Sequence, residues 1–336
     1  MLCEQAPCSD INHVAGYHET ALQAAARFNA GKIAEKLIEA GADVNIVAGR
    51  PLLTALTSGN NKFARILLDN GAMINAPGKF GSNALGAASS FCELGVIELL
   101  IDRGADVMAA GEDGYTPLQY ASHWGRTEVV KLLLDKGADP NIVNNNGSTP
   151  LFLASVDNRV DTVSLLLDKD ADPRIVTRKG LTPWHGACSK HGSVDLVKLL
   201  LNKDADPMAV TNDGSTPLHW ASKHGFVDVV KLLLDKEVEV KADNDGWTPL
   251  HWASCNNHVD MVKLLLEKVD HASVADCTGR SPLFYAIMKG RTEVFDVLRA
   301  KQQPNITDYF GISALSIAAR RGPGADSGPT PCYTGY

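Results

Sequence analysis

The sequence predicts an all-α fold, a tandem array of short paired helices in which each pair stacks on the next. Three observations carry that prediction. One phrase keeps returning: T-P-L-H-W-A-S from Thr216 and Thr248, T-P-L-Q-Y-A-S from Thr116, T-P-L-F-L-A-S from Thr149 and S-P-L-F-Y-A-I from Ser281, with looser copies from Thr20, Arg50, Asn83, Thr182 and Ser313. Its third residue falls at Leu22, Leu52, Leu85, Leu118, Leu151, Trp184, Leu218, Leu250, Leu283 and Leu315, in steps of 30 to 34 residues that are mostly 33. A second phrase follows the well-formed copies: V-V-K-L-L-L from Val129 and Val229, L-V-K-L-L-L from Leu196 and M-V-K-L-L-L from Met261. A chain of 336 residues would ordinarily suggest two or three domains. A period near 33 instead means units that cannot bury their apolar face alone and do so on their neighbours.

Each unit can be justified element by element. The Thr of the first phrase caps a helix, and the Pro after it occupies a first-turn position whose N–H no helix would use. The second phrase has the apolar spacing of a short helix buried on most of its surface, with Lys as the exposed exception. A glycine follows the second helix at Gly41, Gly71, Gly104 and Gly137, where a left-handed residue ends the turn. That position becomes Asp170, Asp204, Glu237 and Val269 further along, and the last two are unnatural there. The array is therefore expected to begin unfolding C-terminal of about Lys236.

This wording resembles the ankyrin repeat, whose pattern is T-P-L-H-x-A-A on one helix, G-H-x-x-V-V-x-L-L-L on the next, then G-A-D-V-N. The stretch G-R-T-E-V-V-K-L-L-L-D-K-G-A-D-P-N from Gly125 matches nearly every position, and the likeness extends from Tyr17 to Gly322. It implies an ankyrin-repeat solenoid of about nine and a half helix-turn-helix repeats joined by β-hairpin loops. Repeats four to eight are the best formed. The first three diverge, with Ala21 and Ala84 in place of the Pro and a hairpin shortened before Arg50. Their wording is similar to arrays of large fungal ankyrin proteins, many of which carry a nucleotide-binding domain ahead of the repeats. No phosphate loop stands here: Gly31-Lys32 and Gly78-Lys79 lack the first glycine and are followed by Ile33 and Phe80 instead of Ser or Thr.

Two irregularities interrupt the period. An extra residue between Trp184 and Ser189 is expected inside a first helix, and a deletion falls in E-V-E-V-K-A-D after Lys236. At the ends, C-S-D-I-N from Cys8 lines up with G-A-D-V-N from Gly41, so residues 1–16 are expected to be the tail of a partial repeat, in a chain that is a segment of a longer array. The repeat domain is then 17–322, and the Pro/Gly-rich residues 323–336 are expected to be a disordered tail.

Composition narrows the function. The hydrophobic share is 45% and the net charge −7, which speaks against general nucleic-acid binding. No apolar run approaches a membrane span, and the N-terminus lacks the pattern of a secretory signal. Seven scattered cysteines without a C-x-x-C pair point to free thiols in a reducing, intracellular setting, cytoplasmic with the nucleus left open.

Chemistry is thin. His185, His219 and His251 occupy the family's own His position, where the resemblance implies a structural hydrogen bond within and between repeats. His219 and His224 point away from each other on one helix and share no metal. No protease or hydrolase signature occurs, so neither an enzyme activity nor a cofactor or metal is expected. Trp220, Trp252, Tyr120 and Tyr285 are expected to pack between repeats. The resemblance implies partner binding by a monomer, through the concave groove at hairpin tips and first-helix ends. Mapped onto this chain, the candidates are Phe28, Phe91, Tyr115, His123 and Trp124, an aromatic half, and Arg178, Lys179, Lys190, His191, Lys223, His224 and Trp247, a basic half. A partner would bring an apolar anchor to Trp124 and an acidic or phosphorylated stretch to Lys190–His224. The reading is a protein–protein scaffold or adaptor. Its alternative is the partner-sensing segment of a larger signalling NTPase.

Overall fold

The computed structural model describes residues 11–14, 20–75, 83–203, 205–268, 274–301 and 307–321. The chain forms two compact units, the first comprising Met1–Ala154 with Asp161–Asp172 and the second Ser155–Val160 with Pro173–Tyr336. The first unit contains the pairs α1 (Ala21–Arg27) and α2 (Gly31–Glu39), α3 (Ile46–Thr57) and α4 (Asn61–Asp69), α5 (Ala84–Phe91) and α6 (Leu94–Asp102), and α7 (Pro117–His123) and α8 (Thr127–Asp135). The division falls within α9 (Pro150–Val156), and most of α10 (Val160–Asp168) returns to the first unit. The second unit contains α11 (Pro183–Ala187) and α12 (Val194–Leu201), α13 (Pro217–His224) and α14 (Val227–Asp235), α15 (Pro249–Cys255) and α16 (Val259–Lys268), α17 (Pro282–Met288) and α18 (Thr292–Arg299), and then α19 (Ala314–Arg321).

Within each unit first helices pack on first helices and second on second: α1–α3–α5–α7 and α2–α4–α6–α8 in one, α13–α15–α17–α19 and α12–α14–α16–α18 in the other. The recurring residue of the first phrase lies at the centre of this packing. It is buried at every position from Leu22 to Leu283, whereas Leu315 on α19 is 68% exposed. On the second helices Val129, Val130 and Leu133, or Val229, Val230 and Leu233, are buried while Lys131 and Lys231 face solvent.

The loops depart from β-hairpins. Among the described residues the one β-type pairing is a single bridge between Thr307 and Ser313. From Gly111 onward each described loop tip is a five-residue turn closed by two main-chain bonds, Asn144 N–H to Ser148 C=O and Gly147 N–H to Asn144 C=O for example, too short for a ladder to grow. Successive tips are tied to one another, Asn145 N–H donating to Asp113 C=O in the first unit and Asn244 N–H to Asp213 C=O in the second. Below the tips, loop asparagines clamp the next repeat. The Asn45 side chain donates to Gly71 C=O and accepts from Met73 N–H, and Asn141 does the same with Asp170 and Asp172. Asn12 accepts from Asp43 N–H at 2.8 Å in the same way.

The left-handed residue after the second helix appears where the sequence placed it: φ is 91° at Gly41, 91° at Gly137, 63° at Asp170 and 58° at Glu237. Positions 204 and 269 lie outside the described residues, as do the stretches 1–10, 15–19 and 322–336 that hold most of the two expected tails.

Three local expectations are corrected. The short loop before Arg50 is no hairpin: α3 begins at Ile46 and carries Pro51 inside it. The extra residue near Gly186 does not lengthen a helix. α11 stops after five residues and the surplus enters a turn that ends at Gly192, whose Cβ position would collide with the Phe226 ring. The third concerns thiols. Cys92, Cys188 and Cys255 are buried thiols, and burial pushes Cys92 up to about 11 and Cys188 to about 12. Cys277, by contrast, is disulfide-bonded.

After α14 the aspartate that makes a turn with the N–H two residues on at Asp43, Asp106, Asp139 and Asp206 is replaced by Glu239, which pairs with Lys241.

Candidate partner-binding surface

The surface is built from two kinds of position: the C-terminal ends of first helices and the loop tips. Its geometry rests on a staple that begins at the helix N-termini. In the first unit Thr116 N–H donates to Gln119 Oε1 (2.8 Å), while Gln119 Nε2 reaches across to Ser148 C=O (2.8 Å). Thr20 and Gln23 form the same box. In the second unit histidine takes this place. Thr182 N–H donates to His185 Nδ1 (3.1 Å), and His185 Nε2 meets Ser215 C=O at 3.2 Å. His219 bridges Thr216 and Trp247 C=O, and His251 bridges Thr248 and Arg280 C=O. A carbonyl can only accept, so each ring carries its proton on Nε2 and is neutral. Burial holds all three well below the ordinary range, at about 4, against the weaker upward pull of the carbonyl bonds.

The first-helix ends are held from behind by a group the sequence did not single out. Arg126 donates to Ser90 C=O and Cys92 C=O at the end of α5, Arg291 to Cys255 C=O, and His258 to Lys223 C=O. A donor placed on the last carbonyls satisfies groups that a helix terminus leaves open and complements its dipole. The signal was present, a basic residue directly after a left-handed Gly or Asn at 125, 257 and 290.

In the first unit Phe28 caps α1 and is 76% exposed; Phe91 ends α5 and Trp124 caps α7, both about half exposed. The Phe91 and Trp124 rings lie 5.6 Å apart, with His123 edge-on to Trp124 at 5.2 Å. Tyr115 is half-buried against Tyr120.

In the second unit Arg178 and Lys179 are exposed on one tip, and His191 is exposed beyond α11. Lys190 is exposed but already paired, 2.9 Å from a largely buried Asp157. Lys223 is half-buried, its ammonium lying 4.6 Å from the Trp252 ring and 5.6 Å from Trp220. His224 stacks on Phe226.

Trp247 corrects the expectation: it is 5% exposed, packed between Tyr285 (4.4 Å) and Trp252 (4.7 Å). The residue after the tip glycine points towards the next first helix, so a ring as large as an indole becomes core. Trp220 and Trp252 are half-buried and Tyr285 is buried, as packing between repeats requires.

Among the described residues no group of acidic, His and Cys side chains could hold a metal ion, and no helix is long and apolar enough to cross a membrane.

Helix pairs repeated at 33 residues, stapled by Thr–Gln and Thr–His boxes and tied tip to tip, define a helical-repeat protein whose variable side chains sit on helix ends and turns. The particular family follows from comparison. The pattern described as "Ankyrin repeats (3 copies)" matches in overlapping stretches from 108 to 308, and the single "Ankyrin repeat" matches 17–48. The chain belongs to the ankyrin-repeat family.

It is 37% identical over 78 residues to the human transient receptor potential cation channel subfamily A member 1, a stretch that is 22% of this chain and 7% of the channel protein. Among solved structures, the human ASB11 ankyrin repeat domain superposes with a TM-score of 0.56 at 29% identity, over 62% of this chain and 93% of that one. Both relatives are human proteins, and neither carries the likeness to fungal arrays.

Proposed function

We propose that the chain is a protein–protein interaction scaffold, binding a partner on its first-helix ends and loop tips and catalysing nothing itself. The observation that supports this reading best is the exposed aromatic pair Phe91–Trp124, held in place by Arg126 and flanked by His123. Half-exposed aromatic rings on a rigid support are the side chains from which interface hot spots are made. The charge half of the expected surface is reduced to Arg178 and Lys179, because Lys190 is paired with Asp157, Lys223 lies on indole rings and burial pulls His224 below the ordinary histidine range. An acidic partner segment would therefore meet the tip at Arg178–Lys179 before it met Lys190.

The test is affinity capture from native cell extract with mass spectrometry, using the native chain, Phe91→Ala with Trp124→Ala, and Arg178→Glu with Lys179→Glu. A protein retained by the native chain and lost by the folded aromatic variant supports the reading. Equal capture by all three removes these surfaces as the site.

A further inference from the structure

In the second unit α13 packs on α14 and α15, α15 on α16 and α17, and α17 on α18 and α19. Each of these first helices is thus covered by its own second helix and by the next first helix. Among the described elements α19 has neither and packs on α17. The consequence is read at the third and seventh residues of the repeated phrase, which lie four apart and share one helix face. Leu218 with Ser222 on α13, and Leu250 with Ser254 on α15, are buried. The same positions on α19 are Leu315, 68% exposed, and Ala319, also exposed.

The tip before α19 is open in the same way. A Cβ on Gly246 or Gly279 would collide with the following tip, whereas one on Gly311 would meet nothing within 4 Å. Tyr309 and Phe310 beside it are about three-quarters exposed. On its other side α19 is seated like its predecessors. Ala314 is buried, and Tyr309 N–H donates to Thr278 C=O at 2.9 Å.

The shape of what fits the bare side is given by the second helices of this chain. α14 buries Val229, Val230 and Leu233 and exposes Lys231; α16 buries Met261, Val262 and Leu265 and exposes Lys263. These helices also cover one another, α16 packing on α14 and α18 on α16. On α18, where no second helix follows among the described elements, Phe295 takes the place of Val230 and Val262. It is only half-buried, under the Arg299 guanidinium at 6.0 Å.

We propose that the side of α19 bearing Leu315 and Ala319, continued by Phe295 on α18, is a docking site for an amphipathic helix of a protein partner. The helix sits there as a second helix sits on its first, completing the interface that already joins α13 to α14, α15 to α16 and α17 to α18. It presents apolar residues at i, i+1 and i+4, the spacing of Val229, Val230 and Leu233. Residues 322–336, interrupted by Pro323, Pro329 and Pro331, carry no V-V-K-L-L-L phrase to supply it. The site is separate from the aromatic surface proposed above.

The test uses the full ¹⁵N-labelled chain and a peptide of residues Thr127–Lys136, held helical by a lactam between its exposed Lys131 and Asp135. Saturable shifts are expected at the Leu315 and Ala319 amides, and none with a control peptide carrying Val130→Asp and Leu133→Asp. Leu315→Glu with Ala319→Glu should weaken binding at least ~10-fold, since carboxylates would have to be buried against apolar surface. Both side chains are exposed, so this variant should keep the native unfolding midpoint. Phe91→Ala with Trp124→Ala should bind the peptide normally. No saturable shift, an equal response to the control peptide, or undiminished binding by the double Glu variant would each overturn the proposal. Concentration-dependent dimerisation abolished by the double Glu variant would overturn it too, by placing a second copy on this face. A positive titration with equal partner capture by the aromatic variant keeps this site and removes the aromatic one.

Discussion

The two units solve one problem with different chemistry. Each must tie the start of a first helix to the loop of the next repeat, and each does so with the third residue after a capping Thr. The first unit uses an amide, Gln119 bridging Thr116 and Ser148; the second uses imidazoles, His185, His219 and His251. At neutral pH the two staples are equivalent, one acceptor and one donor each. In acid they are not, because an amide does not titrate while an imidazole does.

The largest expected effect follows from that difference. The three imidazoles are held at about 4, below the 6.5 of an exposed histidine, so the unfolded chain takes up protons first as pH falls. Their contribution to stability is complete above pH 6.5 and is lost progressively between 6.5 and 4. A depression of this size corresponds to on the order of 3 kcal/mol per residue below both values. Unfolding followed by tryptophan fluorescence reads mainly the second unit, which holds Trp184, Trp220, Trp247 and Trp252 against Trp124 alone in the first. Between pH 7 and pH 4.5 the second unit should lose several kcal/mol and the first much less. Replacing the three histidines with Gln should flatten this dependence and leave neutral stability nearly unchanged. A triple variant as acid-sensitive as the native chain would mean the staples are not the source.

A smaller contrast concerns the residue that ends the second helix. Gly137 in the first unit adopts φ 91° without a Cβ, whereas Glu237 in the second is held at φ 58°. A non-glycine residue there stores on the order of 1 kcal/mol. Glu237→Gly should raise stability by up to about that amount and increase hydrogen-exchange protection of α14 and α15. Gly137→Glu should lower the first unit by a similar amount. If exchange shows repeats after Lys236 already the best protected, the strain at Glu237 does not set where unfolding begins.

How far the sequence foretold this depended on whether a residue's role is local. The Thr caps, the buried Leu22-to-Leu283 series and the His staples were legible, because capping and 33-residue periodicity specify them within one repeat and its neighbour. The fate of Trp247 was not: whether a side chain after a tip glycine points outwards depends on what the next first helix offers, here Tyr285. Lys190 and Lys223 were read as free charge, although each meets a partner from another repeat, Asp157 at 33 residues and the Trp252 indole at 29 residues along the chain. The early loops misled for a simpler reason: a deletion can be absorbed by extending a helix, as α3 does, as readily as by tightening a turn.

The smallest effect should come from the ion pairs that run along the second helices. Arg103 meets Asp69 at 2.7 Å in the first unit and Lys268 meets Asp235 at 3.4 Å in the second, each joining one repeat to the next. All four side chains are substantially exposed, so water and salt screen the attraction, and fixing two long side chains costs entropy. A double-mutant cycle on Arg103 and Asp69 should give a coupling of no more than about 0.5 kcal/mol at low salt, and nothing measurable near 1 M. The Lys268–Asp235 cycle should give less, since the contact is longer and lysine cannot present arginine's two-nitrogen fork. A coupling well above 1 kcal/mol at Arg103–Asp69 would mean that exposed pairs contribute to repeat cohesion on the scale of the buried staples. The distinction between the units would then rest on surface charge as much as on the residue chosen to bridge Thr and carbonyl.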